Sequence, residues 1–112
     1  MAKFEKKLHG DFDEITNIIK RDIVEGNISA SLEDTSYFEY NNARCIVMVF
    51  ERYSIIGENR LSLTVTLFGQ DNNVGLSAIA SGGSRGVLLK INTFGEEAFL
   101  KKLTDIIDRN NW

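Results

Sequence analysis

The sequence predicts an α+β protein: an antiparallel sheet of about five strands with two helices packed on one face, in the order β-α-β-β-β-β-(β)-α. Three observations predict it. Leu61, Leu63, Val65 and Leu67 alternate with Ser62, Thr64, Thr66 and Phe68, the period of two that marks a strand with one apolar face. Cys45 to Phe50 is apolar throughout, which suits a strand covered on both faces. Two segments, one near each end of the chain, carry apolar residues at spacings of three and four, as helices that lie on a sheet do.

The elements follow in order. Phe4 and Leu8 mark a first strand over Lys3–His9 that ends at Gly10. Lys6 falls at an inward position, which an edge strand tolerates, and edge charges oppose aggregation. Asp11 with Glu14 has capping-box spacing, and Phe12, Ile15, Ile18, Ile19 and Ile23 form the stripe of a helix over Asp11–Glu25. Lys20 and Arg21 fall in its later turns, and Gly26 is placed at C′. Ile28, Ala30 and Leu32 alternate as a strand. Tyr37, Phe38 and Tyr40 either prolong it past a bulge or open another.

Asn41-Asn42, Gly57-Glu58-Asn59 and Asp71-Asn72-Asn73 are reversals that join strands Ala43–Tyr53, Arg60–Gln70 and Val74–Ser81 into a meander. Val87–Ile91 reads as a last strand or as the approach to a helix. Thr93 with Glu96 repeats the capping-box spacing, and Ala98, Phe99, Leu103, Ile106 and Ile107 form the stripe of a helix over Phe94–Asp108. Asn110-Asn111-Trp112 reads as a frayed tail, with Trp112 able to dock on the body.

The 112 residues read as a single domain, residues 1–112, large enough for a core of its own. A net charge of −3 argues against nucleic acid or an anionic membrane as partner. Cys45 is the sole cysteine, so no intrachain disulfide forms, and it reads as a small packed hydrophobe. The chain shows no signal-peptide pattern and no run of ~18 apolar residues, so the expected location is cytoplasmic.

Two helices cover one sheet face. The other carries Ser62, Thr64, Thr66 and Phe68, together with either Ile46, Met48 and Phe50 or Cys45, Val47 and Val49 from the central strand. Both choices leave an apolar patch among hydroxyls, and such patches mark interfaces. Ile46, Met48, Phe50, Thr64, Thr66 and Phe68 are the expected interface residues of a homo-oligomer.

The chemistry-bearing residues are sparse. His9 and Cys45 alone do not make a metal site, no carboxylate pair stands out, and neither catalytic residues nor a cofactor are expected. Ser81-Gly82-Gly83-Ser84-Arg85-Gly86 is the local candidate for anion binding. Its glycines let backbone amides approach a ligand, and Arg85 adds charge. It lacks the P-loop lysine and does not match GxGxxG. Glu51, Arg52 and Tyr53 end one strand and Glu58 and Arg60 begin the next; paired across the hairpin, their opposite charges would support strand pairing.

Three stretches occur together and in order: Ile28-Ser29-Ala30-Ser31-Leu32-Glu33-Asp34, Glu51-Arg52-Tyr53-Ser54, and Ser81-Gly82-Gly83-Ser84 followed by Ile91-Asn92-Thr93-Phe94-Gly95-Glu96-Glu97-Ala98-Phe99-Leu100. On these the chain resembles a family of small bacterial proteins, mainly from Gram-positive anaerobes, that carries a domain-of-unknown-function label. The resemblance implies a bacterial cytoplasmic protein and brings no activity, cofactor or catalytic residue. The expected function is a non-enzymatic module that self-associates or binds a partner through its sheet face. The alternative is a small-molecule or anion site between the C-terminal helix and the sheet, using Arg52, Ser81, Gly82, Gly83, Ser84 and Arg85.

Overall fold

The computed structural model describes residues 1–26, 29–54, 59–82 and 89–112. Its elements are β1 (Ala2–His9), α1 (Phe12–Glu25), β2 (Ser31–Tyr40), β3 (Ala43–Ser54), β4 (Asn59–Gln70), β5 (Asn73–Gly82) and α2 (Leu89–Asn110). The five strands form one sheet in the order β1-β5-β4-β3-β2, and every neighbouring pair is antiparallel. The last strand of the meander thus returns to pair with the first, and β1 and β2 are the edges.

Local chemistry explains most boundaries. The Asp11 carboxylate accepts the Glu14 amide at 2.9 Å and caps α1. Asn41 and Asp71 take positive φ (53° and 55°) in two-residue hairpins between Tyr40 and Ala43 and between Gln70 and Asn73. The bulge expected between Leu32 and Tyr37 lies at Glu33, where the register with β3 shifts, so β2 is one strand and not two.

Some expectations change. Gly26 closes α1 in a right-handed conformation, not the left-handed one of a C′ glycine, and no basic residue lies in the last turn. The strand β2 starts at Ser31, so Ala30 lies before it, while Ile28 and the Gly57-Glu58 part of the next reversal lie outside the described residues. The second helix begins at Leu89, five residues ahead of the expected start. Residues 89–91 are therefore helical and Thr93 lies inside the helix rather than at its cap; Val87 is outside the described residues. Ala98 is exposed, leaving Phe99, Leu103, Ile106 and Ile107 as the buried stripe. Trp112 docks against the core.

Both helices lie on the same face. The helix α2 crosses β5, β4 and β1, and α1 touches β2, β4 and α2. Between them and the sheet lies the core: Phe12, Ile15, Ile19 and Ile23 of α1, the α2 stripe, and inward residues of every strand except β2, whose Leu32 is half-buried. Two glycines set how closely the layers approach. A Cβ at Gly69 would sit 2.5 Å from the Phe12 ring, and one at Gly95 would sit 2.8 Å from Leu61. Gly95 costs α2 about 1 kcal/mol of helix propensity and allows the helix to rest on β4.

Candidate functional site: the uncovered sheet face

The strand registers decide which side of each strand faces the helices. Ile46, Met48 and Phe50 line up with Leu67, Val65 and Leu63 of β4, and all six are buried. Ile46, Met48 and Phe50 therefore belong to the core and not to the open face. The β3 residues on the open face are Cys45, Val47 and Val49, opposite Phe68, Thr66 and Thr64. Of the six expected interface residues, Thr64, Thr66 and Phe68 lie on the uncovered side.

The cross-strand rows of this face follow from the pairings. One row runs Phe38, Cys45, Phe68, Gly75, Lys7 from β2 to β1. The next runs Ser36, Val47, Thr66, Ser77, Glu5, and the third runs Asp34, Val49, Thr64, Ile79, Lys3. Phe38 is 61% exposed, Phe68 55% and Ile79 38%. Apolar side chains thus form a band over β2, β3 and β4, with Ile79 of β5 beyond Thr64, and within these three rows the charges lie on the two edge strands. Gly75 leaves a shallow depression of about 490 Å³ in this band, bordered by Glu5, Lys7, Thr66, Phe68 and Ser77. Sequence reading missed Phe38, Ile79 and the Gly75 notch. The β5 alternation of Gly75, Ser77 and Ile79 carried part of that signal.

Of the residues proposed for ligand binding, Arg52 and Ser81 lie on opposite faces of the sheet. Ser81 lies on the open face, where its hydroxyl is 2.6 Å from that of Ser62. Arg52 lies on the helix-covered face, in one row with Leu61 and Gly82. Its guanidinium stacks 4.8 Å from the Phe99 ring and donates to the Gly95 carbonyl at 3.5 Å, and burial lowers its pKa. Gly83, Ser84 and Arg85 lie outside the described residues.

A polar hollow of about 280 Å³ at the end of the sheet is lined by Ser31, Glu33, Glu51, Arg52, Tyr53 and Arg60, among others. Three of its charged groups have partners within it. Arg60 donates to Glu51 at 2.8 Å, as the hairpin pairing suggested, and Glu33 accepts from the Ser31 hydroxyl.

At the opposite end Arg44 is held from three sides. Its two terminal nitrogens reach the Asp13 carboxylate, its Nε donates to the Tyr37 hydroxyl at 2.8 Å, and it lies 4.5 Å from the Phe12 ring centre. These bonds raise the arginine pKa and hold Asp13 below the usual carboxylate range. The arrangement ties α1 to β2 and β3. On α2, Glu96 is buried and meets the Met1 amino group at 2.7 Å. Among the described residues, no three His, Cys, Asp or Glu side chains gather as metal ligands do, and no helix is long and apolar enough to cross a membrane.

No curated protein and no solved structure matches the chain. A family model described as a family of unknown function (DUF6054) matches residues 1–111, and the chain belongs to that family.

Proposed function

We propose that this protein is a non-enzymatic module that self-associates through its uncovered sheet face, with a second copy as the occupant. The observation that carries the reading is the band of Phe38, Cys45, Val47, Val49, Phe68 and Ile79 on a face that neither helix covers. Leaving such a band in water forgoes about 25 cal/mol for every Å² of apolar surface. A second sheet packing on it ~10 Å away restores that burial. The size suits a copy of the same chain. Five strands ~4.8 Å apart, paired over about eight residues at ~3.3 Å each, give a footprint of about 600 Å² per copy. Two copies then bury about 1,200 Å², the lower bound for specific interfaces.

The alternative, a small-molecule site, relies on Arg52 and the 81–86 segment. It draws less support, because Arg52 and Ser81 occupy opposite faces. The deciding experiment is sedimentation equilibrium across micromolar concentrations. The expected mass is twice the 12.6 kDa of the chain, falling to the single-chain mass in Val47→Asp. A wild-type mass of one chain at high micromolar concentration overturns the reading. A dimer that survives Val47→Asp overturns it too, because the interface then lies elsewhere.

A further inference from the structure

The open face is not uniform from edge to edge. Its β2–β3 half carries the bulky groups Phe38, Tyr40, Val47 and Val49, and its one open-face charge among the three central rows is Asp34. Its β5–β1 half carries Gly75 and Ser77 in two rows and Ile79 in the third, and Lys3 and Lys7 outnumber Glu5 at its edge. One half is raised and acidic; the other is hollowed around Gly75 and net basic.

A face-to-face pair with two-fold symmetry must place its axis in the plane between the sheets. An axis across the strands at the Glu5–Ser77 row lays β1 on β1, which sets Lys3 against the partner's Lys7 and Glu5 against the partner's Glu5. Like charges so placed disfavour association. An axis parallel to β4 exchanges the halves instead. Each row then meets the same row reversed: Asp34 against the partner's Lys3, Phe38 beside the partner's Lys7, Cys45 over the partner's Gly75, and Phe68 against the partner's Phe68. At the Gly75 row the raised half enters the hollow, Val49 meets the partner's Ile79, opposite charges meet, and a cation edges an aromatic ring.

Resting on the self-association reading, we propose that the two copies are related by a two-fold axis parallel to β4, with Cys45 and Phe38 of each entering the depression of the other at its Gly75 and Lys7 sides and Asp34 pairing with the partner's Lys3. Lys3 lies 3.9 Å from Glu5 within its own copy, an exposed contact that leaves it available to a second carboxylate.

The test uses sedimentation of the full chain and five variants: Gly75→Phe, Lys3→Glu, Asp34→Lys, the Lys3→Glu/Asp34→Lys pair, and Val47→Asp as the interface control. The atom nearest a Cβ at Gly75 is the Phe68 carbonyl oxygen at 3.8 Å, so a larger side chain fits the single copy. Circular dichroism checks that each variant folds. Gly75→Phe is expected to weaken the dimer about tenfold or more by filling the notch. Each single charge reversal is expected to weaken it about tenfold, and the pair to return to within about threefold of wild type. A dimer indifferent to Gly75→Phe, or a reversed pair no tighter than the single reversals, overturns the axis while leaving self-association through this face intact, provided Val47→Asp still gives single chains. A wild type that stays single overturns both.

Discussion

Single side chains show how this small fold is held and where it is weak. Gly69 is buried against the Phe12 ring, and its missing Cβ lets the first turn of α1 press on β4. Gly69→Ala is expected to cost about 1–3 kcal/mol by overpacking, read as a lower urea midpoint. Thr16 is buried on α1 and its hydroxyl has no hydrogen-bond partner among the described residues. Thr16→Val keeps the shape and removes the unsatisfied group, so it is expected to stabilise by about 1 kcal/mol in the same assay. Asp13 and Asp22 both titrate below the ordinary carboxylate value of 3.8, Asp13 because Arg44 donates to it and Asp22 because Arg21, and then Arg109, donate to it. A depressed folded pKa means that the folded state binds fewer protons. The contribution is complete above the unfolded value and is lost as pH falls through the lowered one. Melting temperature should therefore drop between about pH 5 and pH 3, and less steeply in Asp13→Asn. Equal slopes would show that the Asp13–Arg44 pair is not coupled to folding.

Among the elements, legibility in the sequence depended on contrast. The strand β4 was plain because hydroxyls alternate with branched apolar residues, and all four of its predicted inward residues are buried. Leu63→Ala should accordingly cost about 2–5 kcal/mol in denaturant unfolding. The first helix was equally plain, since a capping aspartate preceded a clean stripe. The strand β3 gave its extended conformation but not its facing. Cys45 to Phe50 is apolar on both sides, so a shift of one residue left nothing polar to mark the outside. Its flanks misled further. Arg44 and Arg52 share the helix-covered side, each laid over a core aromatic ring, Phe12 and Phe99. Snorkelling arginines of this kind do not look like inward residues in a sequence. The start of α2 was hidden for another reason: the apolar stretch before Thr93 resembles a strand, and Thr93 with Glu96 imitates a cap inside the helix. The open face was half legible: Thr64, Thr66 and Phe68 lie on it, while Ile46, Met48 and Phe50 lie on the helix-covered side.

At the scale of the whole molecule the decisive fact is asymmetry between two faces. One carries both helices and nearly all of the buried apolar residues; the other carries an apolar band that neither helix covers. The edges are managed unequally. The strand β1 presents three lysines to solvent, while β2 relies on a bulge and on Glu33, Asp34 and Glu39. That leaves face-to-face packing as the arrangement that hides the band without needing a bare edge. Cys45, half-buried between Phe38 and Phe68 in one row and the sole thiol in the chain, reports on this face directly. The measurement is the rate of Cys45 alkylation by a small maleimide as protein concentration rises from low to high micromolar. Burial of the face by a second copy predicts a rate that falls steeply with concentration in the wild type and stays high in Val47→Asp. A wild-type rate that does not change with concentration would contradict it.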